Sequence, residues 1–267
     1  MTRIQAAFSN GQCPLLIPCT VAGDPDPYLS LEIMRSMIRS GADAIELIIP
    51  STNPVADGPA IRRAHERAIA ALSGVKTAFS LIREIRKESE IPITLMTYAT
   101  PVVAVGEDRF LTMAADAGAD GILVVDMPPE EGASLIADIR LDPIFIIAPS
   151  TPPHRIRMIG ESGRGFLYLV SAPGVTGKRK HLPADLAERI RVVKAESNLS
   201  VAVGFGIGSP DTAYQAVAAG ADAVIVGSVI SEAIESDLQN PAPRVGETVA
   251  LIRSGMSGLK SNRSSGQ

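Results

Sequence analysis

Glu46 stands alone in the otherwise apolar run Ala44-Ile45-Glu46-Leu47-Ile48-Ile49, and Asp57 follows eleven residues later in the turn Ala56-Asp57-Gly58-Pro59. An unpaired carboxylate in an apolar strand is expensive to bury, so a residue in that setting is kept for chemistry, as a proton donor or acceptor with a shifted pKa. The competing reading of Glu46 is that it meets an arginine or backbone amides and organises a loop. For Asp57 the competing reading is ordinary turn chemistry, since Asp before Gly-Pro is a common turn.

Glycine clusters late in the chain add a second kind of chemistry. Gly174-Val175-Thr176-Gly177, Gly204-Phe205-Gly206-Ile207-Gly208-Ser209 and Gly227-Ser228 each follow a β-branched run. Backbone amides that can approach closely, together with the N-terminus of a short helix, favour an anion, and a phosphorylated substrate is the expectation.

The elements that must position these residues are legible from punctuation. The junction Gly-Ala-Asp recurs at 41–43, 118–120 and 220–222, each time where a helical stretch stops and an apolar run of Ile, Leu, Val or Ala begins. The Gly supplies a left-handed C-terminal cap. Eight such runs can be counted: Leu15-Cys19, Ala44-Ile49, Ile93-Met96, Ile122-Val125, Ile144-Ile147, Phe166-Val170, Val201-Val203 and Ala223-Val226. Continuous apolar strands are buried on both faces, as in a parallel sheet ringed by helices, and about 250 residues is the usual size of a (β/α)₈ barrel. The expected fold is therefore α/β, a single TIM barrel over residues 1–253 with an extra N-terminal helix. A doubly wound open sheet is the alternative; it wants a Gly-rich fingerprint after the first strand, and Val21-Ala22-Gly23-Asp24-Pro25 is not one. In a barrel the working face lies at the strand exits, where Tyr98, Asp126, Tyr168 and Ser171 join Glu46 and Asp57. Strand alternation sets Glu46 with Ala44 and Ile48, and Tyr168 with Phe166 and Val170, so both polar side chains can share the barrel interior.

The whole chain of 267 residues is 46% apolar and 20% charged with a net charge of -4, which excludes a basic nucleic-acid stripe. No apolar run approaches the roughly 18 residues that span a bilayer, and residues 1–9 do not read as a signal peptide, so a cytoplasmic location is expected. Cys13 and Cys19 lie six apart in one extended run, roughly 20 Å, beyond the ~7 Å a disulfide tolerates, and are expected to be free packing thiols. His65, His154 and His181 lack metal-ligand spacing and are expected at the surface. The tail from Ser254 to Gln267 is rich in Ser and Gly and is expected to be disordered. Loops 51–58 and 174–183 are the candidate lids.

Taken together, Ala22-Gly23-Asp24-Pro25, Gly41-Ala42-Asp43-Ala44-Ile45-Glu46-Leu47 and Asn53-Pro54-Val55-Ala56-Asp57-Gly58-Pro59 resemble the α subunit of tryptophan synthase. Met96-Thr97-Tyr98, Asp126-Met127-Pro128, Gly174-Val175-Thr176-Gly177, Gly204-Phe205-Gly206-Ile207 and Gly227-Ser228 follow in the family's order, so the match spans roughly residues 12 to 235. The resemblance implies a lyase that splits indole-3-glycerol phosphate into indole and glyceraldehyde 3-phosphate by a retro-aldol step, without metal or organic cofactor. It further implies that Glu46 shuttles a proton to indole C3 and then takes one from the glycerol hydroxyl, while Asp57 receives the indole N–H. Tyr168 would orient Glu46 or the substrate. Tyr98 and Asp126 would touch substrate, Ile146, Thr176 and Phe205 would hold the indole, and Gly177, Gly206, Gly227 and Ser228 would hold the phosphate. The implied partner is a pyridoxal-phosphate β subunit in an αββα tetramer.

The chain departs from the family pattern at Ser51, Thr52 and Asn53, where Phe-Ser-Asp is usual, at Cys19-Thr20-Val21, where an aromatic and a Thr are usual, and at Thr100, where an Asn is common. In the family the first group lies on the loop facing the partner subunit and the second belongs to the indole pocket region. Alternative readings are a stand-alone lyase on a related indole or aryl glycerol phosphate, a non-catalytic activator of a β subunit, and another sugar-phosphate barrel. The last wants aspartates at the exits of strands one and five, and the fifth here ends Ile147-Ala148-Pro149.

Overall fold

The computed structural model describes residues 1–9, 14–171 and 181–256. Its strands are β1 (Leu15–Val21), β2 (Ile45–Ile48), β3 (Ile93–Thr97), β4 (Gly121–Val124), β5 (Asp142–Pro143), β6 (Phe145–Ile147), β7 (Phe166–Val170), β8 (Ser200–Gly204) and β9 (Ala223–Val226). All pair in parallel, in the order β5-β4-β3-β2-β1-β9-β8-β7-β6. β5 and β6 are one stave joined by Ile144, whose N–H donates to Ile122 O at 2.8 Å. The sheet therefore closes into the expected eight-staved barrel. The fifth stave starts two residues before the run at 144–147 and is divided, because its lower half bonds β4 and its upper half bonds β7; tilted barrel strands require that stagger.

The helices alternate with the staves: α1 (Arg3–Ser9), α2 (Pro27–Arg39), α3 (Pro59–Ala70), α4 (Val75–Arg86), α5 (Ala99–Val105), α6 (Glu107–Ala117), α7 (Ala133–Ala137), α8 (Pro153–Ser162), α9 (Leu186–Ser197), α10 (Pro210–Ala218), α11 (Ser228–Ser236) and α12 (Pro241–Met256). Strand parity divides the core in two. Leu15, Ile17, Cys19 and Val21 point inward with Ala44, Ile48, Phe166 and Tyr168, whereas Leu16, Ile45 and Leu47 pack outward under the helices. The extra helix α1 closes the bottom of the barrel: Ile4 is buried, and a Cβ at Gly121 would come within 2.7 Å of its Cδ1.

The Gly-Ala-Asp junctions do more than cap helices. Gly41, Gly118 and Gly220 take φ of 98°, 96° and 102°, as the left-handed cap requires. Each following aspartate then clamps one residue of a neighbouring strand by both of its groups. The N–H of Asp43 donates to Leu16 O, and its carboxylate accepts from Leu16 N; Asp120 does the same to Ile93, and Asp222 to Val201. Each carboxylate is closed by a cation from a helix: Arg253 for Asp43, Arg86 at 2.7 Å for Asp120, and Lys194 at 2.7 Å for Asp222. These junctions thereby set the height at which adjacent staves pair.

Two expectations are corrected at this level. Residues 254–256, assigned to the tail, complete α12 and Met256 is buried, because the helix packs against α2, α10 and α11. His65 is buried on α3 rather than exposed; Ile61, Ala64, His65 and Ala68 form that helix's apolar stripe toward the barrel. His154 and His181 are exposed, and Cys19 is free and buried. Cys13 and residues 257–267 lie outside the described residues.

Candidate active site

At the strand exits the inward-facing side chains leave a cavity with about 550 Å³ of empty space, counting that open to solvent. Glu46 enters it from β2. In the β1–β2 register Glu46 is opposite Cys19, and both side chains point inward as strand alternation dictates. Glu46 is only 2% exposed, and Oε2 has no hydrogen-bond partner among the described residues. Burial drives its pKa up to about 7, the charge of Asp57 pushes in the same direction, and the Cys19 thiol opposes by donating to the anion. The thiol is itself pushed up by burial and by Glu46, so it serves as a neutral donor.

Asp57 reaches the same cavity from the loop between β2 and α3. It too is buried, yet its two oxygens differ. Oδ2 accepts from the Tyr98 hydroxyl at 2.7 Å and lies 3.2 Å from His65 Nε2, whereas Oδ1 has no partner among the described residues. The Tyr98 hydroxyl also accepts from Ala56 N at 3.2 Å, which ties the loop to β3. Burial and the neighbouring Asp57 push the Tyr98 phenol well up, so it remains a donor. The cavity thus holds two buried carboxylates, each with one unanswered oxygen.

The wall between them is apolar, formed by Ile48, Ile61, Met96, Leu123, Ile146 and Ile225. On the far side stands Tyr168, its ring edge-to-face with Phe205 at 6.0 Å between centroids and 84° between planes. Gly204 is required there: a Cβ would lie 2.2 Å from the Tyr168 hydroxyl oxygen. Phe205 takes φ of 67° and Gly206 φ of 80°, and the Ser171 hydroxyl donates to Phe205 O. A left-handed non-glycine costs on the order of 1 kcal/mol or more, and such strain collects at functional sites. Here it turns the Gly206 backbone toward the cavity end where Gly227 and Ser228 open α11. That end joins a close-approaching backbone to the N-terminus of a nine-residue helix, a setting that favours an anion.

Glu46, Asp57, Tyr168, Ile146, Phe205, Gly206, Gly227 and Ser228 therefore line one cavity. Thr176 and Gly177 lie outside the described residues. Two expected substrate contacts are placed elsewhere. Tyr98 lies behind Asp57, its hydroxyl occupied by that carboxylate. Asp126 is exposed beside a separate cleft with Met127 and Pro128, and its carboxylate accepts from Ala99 N at 2.7 Å, holding the first turn of α5. Cys19, noted in the sequence as a departure in the indole pocket region, stands opposite Glu46, and His65 is a site residue that the sequence pattern did not single out. Strand parity ties the first to Glu46, and the helical spacing of Ile61, Ala64, His65 and Ala68 would have found the second.

Comparison with known proteins agrees with this geometry. A family model described as tryptophan synthase alpha chain matches residues 6–258. The tryptophan synthase alpha chain of Dechloromonas aromatica is 43% identical over 268 residues, covering 97% of this chain and 100% of that one. The one of Methanoregula boonei is 42% identical over 244 residues, covering 90% and 92%. A solved structure of Mycobacterium tuberculosis tryptophan synthase matches with a TM-score of 0.88 at 33% identity, covering 96% of this chain and 98% of that one. A structure of the tryptophan synthase a2b2 complex from Pyrococcus furiosus matches with a TM-score of 0.85 at 34% identity, covering 91% and 98%. With the barrel, the paired carboxylates and a family match running over nearly the whole chain, this protein belongs to the tryptophan synthase alpha chain family.

Proposed function

We propose that the cavity between Glu46 and Asp57 is where this chain cleaves indole-3-glycerol phosphate to indole and glyceraldehyde 3-phosphate, as a lyase of tryptophan biosynthesis. The bond broken is carbon–carbon. The observation that carries the reading is the pair of buried, unanswered carboxylate oxygens on one apolar cavity that ends in Gly206, Gly227 and Ser228. With the phosphate on those amides and the indole between the aliphatic walls, Glu46 in its acid form donates a proton to C3. Positive charge then develops on the ring nitrogen, and Asp57 Oδ1 accepts its N–H. The Glu46 carboxylate takes the proton of the glycerol hydroxyl, the C–C electron pair returns to the ring, and the aldehyde leaves. A carboxyl group whose pKa is near 7 is suited to both halves of this exchange. Tyr168, packed against Phe205, faces the same cavity from the side opposite Glu46 and would position the substrate.

The proposed partner is a β subunit; the matching Pyrococcus furiosus structure is that of an a2b2 complex, which supports the same assembly here. Thr52, Asn53 and Val55 are exposed on the loop that carries Asp57, so a partner docked there would act on that residue directly. The cytoplasmic location is proposed along with the pathway, on family membership. The test is indole release from indole-3-glycerol phosphate by the purified chain, alone and with a tryptophan synthase β subunit, for wild type and Glu46→Gln. Slow turnover that rises with β and vanishes in Glu46→Gln is expected. Fast turnover without β would point to a stand-alone lyase, and none under either condition would overturn the catalytic reading.

A further inference from the structure

His65 is 1% exposed, and both of its ring nitrogens are engaged. Ser51 N lies 3.0 Å from Nδ1, and Asp57 Oδ2 lies 3.2 Å from Nε2. A backbone N–H can only donate, so Nδ1 must offer its lone pair, and the proton of the neutral ring resides on Nε2, facing Asp57. One tautomer alone satisfies both contacts. Oδ2 of Asp57 then receives two donors, His65 Nε2–H and the Tyr98 hydroxyl, while Oδ1 receives none. Turning the carboxylate away from this orientation would break both bonds at a buried position, where each lost bond is costly.

We infer that His65 is a positioning residue for the reaction: its Nε2–H, with Tyr98, holds Asp57 by Oδ2 so that Oδ1 is presented to the nitrogen of the bound ring. The inference rests on the reaction proposed above and adds to it the group that aims its anion. The two bonds of His65 also join the Ser51 backbone to Asp57, so the start of the 51–58 loop is tied to the end that carries the carboxylate. Nothing in the roles of Glu46 or Tyr168 depends on His65.

Two substitutions separate this role from a structural one. Gln at 65 places an amide N–H₂ near the position of Nε2 and keeps a donor to Asp57; Asn places a carbonyl oxygen near the position of Nδ1 and keeps only the acceptor for Ser51 N. Turnover of indole-3-glycerol phosphate is measured per folded molecule for wild type, His65→Gln and His65→Asn. His65→Asn is expected to lose about tenfold or more in kcat with KM changed by less than about threefold, because the aimed charge matters most in the transition state. His65→Gln is expected to retain most of the activity that His65→Asn loses, as the conservative variant that keeps the donor. The opposite order, or an Asn variant as active as wild type, overturns the inference and leaves His65 as a loop staple.

A second readout needs neither turnover nor a variant. Imidazole ¹⁵N spectra of the wild-type chain at about pH 8, where an ordinary histidine is neutral, are expected to show one buried ring protonated at Nε2, and a ring protonated at Nδ1 overturns the inference. A wild type that releases no indole but shows the Nε2 tautomer removes the reaction and not the aim of Asp57, so the two failures are distinguishable.

Discussion

Glu46 concentrates the chemistry of this molecule in one titration. Its carboxyl is raised from an ordinary value near 4.5 to about 7 because the barrel interior disfavours the charged form. The acid form that would donate to C3 in the proposed reaction is therefore present at neutral pH and lost above it, and kcat is expected to fall as pH rises through 7 to 8, measured by indole release across that range. The same shift bears on stability. A folded-state pKa above the unfolded one means that the folded protein holds the proton more tightly, so the group's contribution is fully present below about pH 4.5 and is lost as pH rises through about 7. Glu46→Gln removes that dependence. The variant is expected to lose at least about a hundredfold in kcat yet to gain in Tm relative to wild type at pH 8, with the gap closing toward pH 5; the penalty removed is on the order of 3 kcal/mol. A variant whose Tm tracks wild type at every pH would show that Glu46 titrates as an exposed carboxylate.

Among the elements, the strand exits carry the site and the strand entries carry the fold. At the exit of β8, Gly204 makes room for Tyr168 and Phe205 turns through a strained conformation to bring Gly206 into the cavity. Gly204→Ala is expected to displace the Tyr168 ring, lowering kcat by about tenfold or more and stability by about 1–3 kcal/mol, read by turnover and by thermal melting. At the entries, the aspartate clamps hold neighbouring staves in register. Asp120 is bound to Ile93 N, to Arg86 and to Arg3, and the Asp120 and Arg86 side chains are only 4% and 11% exposed. Asp120→Ala leaves the Arg86 guanidinium without that partner and is expected to cost about 3 kcal/mol or more. Its kcat at a permissive temperature should stay near wild type, because Asp120 does not line the cavity that holds Glu46. A melting temperature unchanged by Asp120→Ala would show that the clamp is dispensable.

At the scale of the whole molecule, catalysis is linked to the outer surface through the loop between β2 and α3. Asn53 is exposed on that loop, Ser51 binds His65, and Asp57 ends in the cavity. A neutral Asn can hydrogen-bond across an interface but cannot form an ion pair, so at the β-subunit interface proposed above it would offer a weaker contact than a charged residue. Asn53→Asp is expected to raise the stimulation of indole release by a β subunit severalfold, with little change in the rate of the chain alone. Equal stimulation of both proteins would place the coupling at other residues of the interface.

The eight apolar runs, the recurring glycine junctions and the lone strand glutamate were legible in the sequence because each is a local statement: burial on both faces, a left-handed cap, a charge where none belongs. Parity along the strands was likewise enough to place Glu46 and Tyr168 in one interior. What only the tertiary structure decided is which oxygen of which carboxylate is left free. That depends on residues far apart in the chain, Tyr98 from the end of β3 and His65 from α3, meeting at Asp57, and neither a tyrosine ending a strand nor a histidine inside a helical stripe declares such a partner. At Asp126 parity was decisive: Leu123 and Val125 take the inward face, so Asp126 is turned outward, where its carboxylate accepts from the Ala99 amide. Local patterning determines which face a side chain occupies, whereas the hydrogen bonds that aim it are made between elements and exist only when the barrel has closed.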